Sequence, residues 1–539
     1  MSPVLLLAAF AAVCLVAALL RGRHNPHHQP ADHELHGAIE PPLVRVGVRD
    51  LLQHGTRVLD KVAVDNLDRF PHGIFTASIL GWRAAYVVND SHLTTVLQAK
   101  SKHRDFGWVP FFFLCNMGGL ASKTVARLQS RDPKDADDAG FNADFHDLHV
   151  RELALGAPHQ SVMAEFAAAW DPLLDSLRAS VQAGSAGAEV DLWRWLRKAV
   201  AISVSRAAWG PRSPFSTDPA LWEHFCTFAD HYHPLKYMTS SVYAWRGVRA
   251  RDAMVDAFER YYLDEAGSGR DSASRLSKAR DRSLEKRGLS HREMARCAMS
   301  MCVGQFTPAA VTFDVIAYIL SCPGLMDRIR HEVRSYIPLI NTPDTTTNSR
   351  KPTIDITRAS DTCPLLLSIV HEVLRLVTLG VTVRSVLHDH TLTLPLPTKG
   401  PSSPKATYRL RKGRLIWSSG LAIHGSPAHF PSPQTFDPER FLGCRFPETQ
   451  VPGLFRVFGG VCLGRHIVRD VTTAAVASLI SAFEFLPAAA DGAPLCLPNL
   501  DRFTFDQGAA HPRGNTVARL RVGDGVSILW EGVQDWRRG

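Results

Sequence analysis

Residues Phe458–His466 read FGGVCLGRH: a phenylalanine, two glycines, a cysteine and a third glycine, directly ahead of an apolar, helix-periodic run from Ile467 to Phe485. Glycine has no Cβ, so backbone there can approach a flat group closely. A helix amino terminus, with its free amides and positive dipole end, stabilises a thiolate placed just before it. The stretch therefore offers Cys462 as a metal ligand. Alone it reads equally well as an inert cysteine in a glycine turn, and the rest of the chain has to decide.

Upstream stands His371–Leu376, HEVLRL, in which Glu372 and Arg375 lie three apart on a helix that the pattern extends from Cys363 to Leu379. One turn brings the two together, and on a surface the pair contributes only about 0.2–0.5 kcal/mol. Leu365, Leu366, Leu367, Ile369, Val370, Val373, Leu374, Leu376 and Val377 make this helix apolar all round, which predicts burial. A buried carboxylate needs paired charge and several donors. Phe436–Leu442, FDPERFL, supplies a candidate in Arg440, whose planar guanidinium suits that task better than a lysine.

In this order the three stretches resemble the cytochrome P450 superfamily: ExxR in one helix, PERF in an irregular meander, then a cysteine loop opening the next helix. The resemblance covers nearly the whole chain. It implies a mainly α fold with smaller β-sheets (α+β), forming a single large domain around haem b, with Cys462 as the thiolate ligand. It implies that Glu372, Arg375 and Arg440 hold the cysteine loop, that Phe458 and Gly464 belong to the cofactor seat, and that Arg384, in VTVRSVLHD, meets a haem propionate. The run Cys363-Pro364-Leu365-Leu366 is closest to the branch of steroid 7- and 12-hydroxylases and prostacyclin synthase. One departure concerns the loop itself. The family normally has phenylalanine seven residues before the cysteine, glycine four before and a basic residue two before; here those positions are Phe455, Phe458 and Gly460, while Phe458-Gly459-Gly460 read as the start of the motif leaves it three residues short.

A helical pattern from Arg292 to Leu320 resembles the helix that crosses the haem. Its Val303-Gly304-Gln305-Phe306-Thr307 has threonine in place but phenylalanine where an acid is usual. Thr307 can hydrogen-bond oxygen or water, Gln305 can assist, and Pro308 removes a backbone donor and opens the helix locally. The resemblance implies a monooxygenase inserting one atom of O2 into an apolar, sterol-, terpenoid- or lipid-like substrate, with electrons from NADPH–cytochrome P450 reductase. The missing acid leaves a reductase-independent isomerase or dehydratase as an alternative, and the irregular loop leaves an impaired haem-binding protein as another.

Residues Pro3–Leu20 run without a charge, and Arg21, Arg23 and His24 follow. As a helix this run spans about 27 Å, a membrane thickness. It predicts a single-pass anchor at 1–21 in the endoplasmic reticulum membrane, a polar linker over 22–40 and a cytosolic haem domain over 41–539. The net charge of +9 suits anionic lipid or an acidic redox partner. Basic residues are scattered and no nucleic-acid-binding module is present. The densest basic stretch, Arg270–Arg287, reads as a solvated face or mobile loop. Ten cysteines without a CxxC pair argue against both a zinc ribbon and a disulfide framework. Strands are expected near Phe75–Asp90 and Thr382–Ser419, surface loops at Asn341–Asp361 and Pro395–Ala406, and no internal repeat is visible.

Overall fold

The computed structural model describes residues 38–529 apart from 48–49, 51–57, 71, 80–81, 100–103, 106–112, 130–140, 184–186, 219, 232–243, 265–267, 337–338, 344–349, 356–358, 396–404, 452, 460–461, 487–493, 498–514 and 524–526. The expected anchor and most of the linker lie outside the described residues. The strands are β1 (Leu43–Val46), β2 (Ile74–Ile79), β3 (Trp82–Val88), β4 (Arg104–Asp105), β5 (Ala188–Asp191), β6 (Leu339–Pro343), β7 (Arg350–Asp355), β8 (Thr382–Val386), β9 (His390–Pro395), β10 (Lys405–Leu410), β11 (Leu415–Ser418), β12 (Phe483–Leu486), β13 (Val517–Val522) and β14 (Ser527–Leu529). The helices that build the core and the site are α1 (Val58–Asp65), α2 (Ser91–Gln98), α3 (Ala157–Gln182), α4 (Leu192–Trp209), α5 (Trp245–Leu263), α6 (Arg275–Lys286), α7 (His291–Met301), α8 (Phe306–Ser321), α9 (Leu325–Tyr336), α10 (Pro364–Val377) and α11 (Arg465–Ala482).

Helices α3, α4, α8, α10 and α11 share one apolar core, in which Trp170, Leu196, Phe313, Val373 and Leu479 are all fully buried. The Trp170 indole N–H is satisfied there by Ser478 Oγ at 3.0 Å. The largest sheet has the order β1-β2-β3-β11-β8-β4 and so joins the early strands to those that follow α10. Its β11 runs parallel to β3, with Ile416 opposite Tyr86, and antiparallel to β8, with Ile416 opposite Arg384. That pairing carries the residues after the ExxR helix to the edge where β4 and the end of α2 sit. Ile39, within the stretch read as linker, exchanges backbone hydrogen bonds with Thr407 and Arg409 at 2.9 and 2.8 Å.

Helix α10 is buried on every side, as its composition predicts. Its amino terminus lacks a local cap, since Cys363 offers no side-chain acceptor. Glu332 on α9 supplies one from across the core, accepting the Leu365 and Leu366 N–H groups at 2.7 and 2.9 Å. Two of the helix's orphan donors are thereby paired with a carboxylate at the positive end of the dipole.

Four sequence expectations need correction. The helix expected over Arg292–Leu320 is interrupted: α7 ends at Met301, Cys302–Gln305 is 3-10, and α8 resumes at Phe306. Pro308 is the cause, because it cannot donate to the carbonyl of Gly304 and its ring would crowd that group. Arg270–Arg287, expected as a solvated face or mobile loop, is helical rather than a loop, with much of its surface solvated but not all of it. It folds largely as α6, and Arg280 is buried because its guanidinium meets Asp281 at 3.0 Å, the Tyr262 hydroxyl at 3.3 Å and the Trp209 ring at 5.7 Å. The presumed surface loop at Asn341–Asp361 contains the antiparallel pair β6–β7, with β14 beside β7. The final helix stops at Ala482, and Phe483–Leu486 is strand β12, drawn into extended backbone by pairing with β13.

One buried group has a cost without a visible return. Asp314 on α8 is 1 % exposed, its Oδ2 has no hydrogen-bond partner among the described residues, and burial holds its carboxyl well above the usual range. The folded state therefore prefers the protonated acid, and stability falls as pH rises above the ordinary carboxylate value. Asp314→Asn, which cannot ionise, is expected to match the wild type near pH 4 and to gain on it as pH rises, by up to about 1.4 kcal/mol per pH unit until the native acid ionises. Denaturant unfolding at pH 4, 6 and 8 checks this; a difference independent of pH would refute it.

Candidate active site

Helix α10 sets Glu372 and Arg375 one turn apart, both essentially inaccessible to solvent. Arg375 grips the carboxylate with two donors, Nε to Oε2 and Nη2 to Oε1, each at 2.8 Å. Arg440 adds Nε at 3.1 Å from both oxygens, and the Asp437 N–H reaches Oε1 at 3.2 Å. The expected triad is thus assembled, with the carboxylate's lone pairs filled as a buried anion requires. The remaining donors are also used. Arg375 Nη1 bonds the carbonyls of His424 and Pro433 at 3.0 and 2.8 Å, and Arg440 Nη1 that of Pro431 at 2.9 Å.

His424 links this network to the cysteine loop, because its Nε2 accepts the Arg456 N–H at 2.8 Å. That role requires a neutral ring, and burial pushes the imidazole down to about 3. His371, also driven to about 3 by burial, faces Phe455 at 5.6 Å, and Phe441 packs against both rings, 5.3 Å from Phe455 and 6.0 Å from His371. The buried ring of the loop is therefore Phe455, seven residues before the cysteine. Phe458 is only half-buried against the main core. Gly459 turns the chain at φ +61°, and a Cβ there would stand 2.6 Å from the Val381 carbonyl oxygen. The loop packs against the approach to β8 through that glycine.

Cys462 follows, its N–H bonded to the Phe458 carbonyl at 3.2 Å. It lies two residues before Gly464, the N-cap of α11, whose amide reaches the sulfur. Burial pushes the thiol up, partly offset by the Gly464 amide and Arg465. A metal binding here displaces the thiol proton. Gly464 and Gly304 each have open space where a Cβ would stand. Gly304 lies in the 3-10 break together with Gln305, whose side chain is outside the described residues, and Thr307 follows half-buried in the first turn of α8. Arg384 on β8 donates to the Val383 carbonyl at 3.2 Å and the Gln98 carbonyl at 3.4 Å. A thiol at a helix terminus, uncovered glycine backbone and nearby guanidinium groups fit haem, which needs a sulfur ligand, close backbone and cations. The triad residues and the Cys462 loop are brought into one connected network; nothing described joins Thr307 or Gln305 to it. Sequence reasoning missed His424, Arg456 and Gln98, whose partners are far away in the chain.

The sequence profile of the cytochrome P450 family matches residues 221–506. Similar proteins include cytochrome P450 monooxygenase nodJ of Hypoxylon pulicicidum, 23% identical over 81% of this chain and 80% of that one. Steroid 21-hydroxylase of Canis lupus is 28% identical over 50% of this chain and 52% of its own length. Among solved structures, cytochrome P450 CYP102L1 superposes with a TM-score of 0.60 at 16% identity, covering 90% of this chain and 99% of that one. The retinoic acid-bound cyanobacterial CYP120A1 gives 0.59 at 17% identity, covering 90% and 99%. Fold and site define a haem-thiolate oxygenase. The chain belongs to the cytochrome P450 family, whose members bind haem through a cysteine thiolate and act as monooxygenases.

Proposed function

We propose that Cys462 holds the haem iron and that the protein hydroxylates an apolar sterol-, terpenoid- or lipid-like molecule, using electrons from NADPH–cytochrome P450 reductase. The observation that carries this reading is the continuous path from the Glu372–Arg375–Arg440 network through His424 to the loop bearing Cys462. Haem bound by a thiolate supplies the oxygen activation. The chain's own residues have narrower tasks. Thr307 Oγ1 holds the proton nearest the helix break, with Gln305 and water as its partners, since Phe306 has none to give. Arg384 orients a propionate, and Phe455 and Gly459 fix the loop. Substrate class is inferred from relatives. Steroid 21-hydroxylase acts on steroids by name, and cyclooctat-9-en-7-ol 5-monooxygenase of Streptomyces melanosporofaciens, 35% identical over 77 residues, on a cyclic alcohol. An anchor at 1–21, built on the apolar run Pro3–Leu20 and holding the domain at the endoplasmic reticulum membrane, suits such substrates, and the net charge of +9 suits an acidic reductase.

With full-length protein, reductase, NADPH and isotopically heavy dioxygen, turnover is expected to give products carrying one heavy oxygen atom. Phenylalanine at position 306 favours a second reading, rearrangement or dehydration without external electrons. Turnover at the same rate without reductase and NADPH would establish that reading and reject the first.

A further inference from the structure

Buried arginines in this protein are generally paired with acids: Arg280 with Asp281, Arg375 with Glu372, Arg469 with Asp470. Where α2, β4 and the cysteine loop meet, buried Arg456 breaks this pattern, and half-buried Arg104 likewise lacks an acid. Arg456 is 7 % exposed, and its guanidinium donates to Gln98 Oε1 at 2.7 Å, Gly453 O at 2.8 Å, Ser91 O at 3.5 Å and Thr95 Oγ1. All four acceptors are neutral. Arg104, on β4, has Nη1 3.3 Å from His390 Nε2 and Nη2 3.4 Å from the Val96 carbonyl, and its buried Nε has no partner. Among the described residues neither arginine forms an ion pair. Burial lowers the pKa of both, with no acid to offset it.

Holding a cation out of water without a counter-charge is costly, and a fold that does so at a functional site leaves room for an anion. The surroundings say which site this is. Gln98, which Arg456 holds, turns its Nε2 to Thr382 Oγ1 at 2.8 Å and to the carbonyl of Gly459, in the cysteine loop, at 3.2 Å. Strand β4 pairs with β8, so that Arg104 lies opposite Val386, two residues from Arg384. The same loop has Gly460 two residues before Cys462, where a basic side chain is expected.

We propose that Arg456, assisted by Arg104, is the cationic seat for a carboxylate of the bound haem, replacing from six residues before Cys462 the charge that Gly460 cannot supply. Arg456 is therefore kept free of an internal acid: a carboxylate beside it would compete with the propionate. This rests on haem lying at the Cys462 loop, as proposed above. The two ideas fail separately, because substitution of Cys462 reads the iron ligand whereas the following experiment reads the carboxylate.

Full-length protein carrying haem, or haem dimethyl ester whose carboxylates are capped, is mixed with excess apomyoglobin and pigment transfer is followed by absorbance. Arg456→Gln is expected to speed haem loss by about tenfold or more while changing ester loss by less than about twofold, and Arg456→Lys to retain most of the discrimination. Gln98→Glu provides Arg456 with an internal acid; it is expected to speed haem loss selectively, and it carries the test alone should Arg456→Gln not fold. Equal acceleration of both pigments makes Arg456 a structural staple and overturns the proposal. So does slower haem loss in Gln98→Glu, or wild-type protein that holds haem and ester alike, which would assign the cations to an acidic substrate instead.

Discussion

Glu372→Gln is expected to cost about 3–5 kcal/mol of folding stability, because it leaves Arg375 buried and Arg440 nearly so without the anion they share. Against a typical stability of about 5–15 kcal/mol this is enough to populate unfolded chain and to lower haem content in purified protein. The size of the effect follows from completeness: two guanidinium groups and one backbone amide converge on the carboxylate, so glutamine forfeits charge and presents an amide N–H₂ to donors. Arg440→Gln should cost less, since that side chain is 12 % exposed and water can replace it. Urea unfolding of the three proteins tests the ranking. A Glu372→Gln variant within about 1 kcal/mol of wild type would show that the network does not hold the cysteine loop.

The ExxR helix was legible because its signal is local and redundant: a helix that is apolar on all faces must be buried, and two opposite charges one turn apart must then pair. PERF added the third member through the requirement for more donors. The cysteine loop was harder to read, since two phenylalanines compete for one place. Packing settles it for Phe455, which has His371 and Phe441 around it, while Phe458 lies half-buried. Neither partner is near in sequence, so periodicity carries no trace of the choice. Glu332 shows the same limit: it caps α10 from 33 residues away, and nothing around Glu332 marks it as a cap. Arg270–Arg287 was misread in part, at the buried pair Arg280 and Asp281, for another reason. Charge density predicts solvent exposure only until one charge finds a buried partner, and Asp281 beside Arg280 is such a partner that composition averages away. The local opening at Pro308 was legible, because proline acts on its own backbone and needs no distant residue, but its extent, a 3-10 segment over Cys302–Gln305 that ends one helix and starts another, was not.

Cys462→Ala should abolish the strongly red-shifted Soret band of the reduced, carbon monoxide-bound protein, since that band requires thiolate ligation. Eight other cysteines are described, and burial alone does not single out Cys462, because Cys297, Cys302 and Cys363 are more deeply enclosed. Those three sit in apolar core, where burial drives every thiol up to about 12 or above, and none of them has the amide of a following helix's first residues at its sulfur. Cys462 alone among them follows a glycine turn and precedes a long helix whose Gly464 amide reaches its sulfur. Its side chain takes no part in the Glu372 network, so alanine should leave unfolding of the haem-free chain nearly unchanged while oxygenase turnover falls below detection. Cys444→Ala, in a half-buried cysteine of the meander, serves as the control and should keep the band. If Cys462→Ala keeps the red-shifted band, the iron is held by another sulfur, and the path from Glu372 through His424 would have to be read as scaffolding for something other than the ligand.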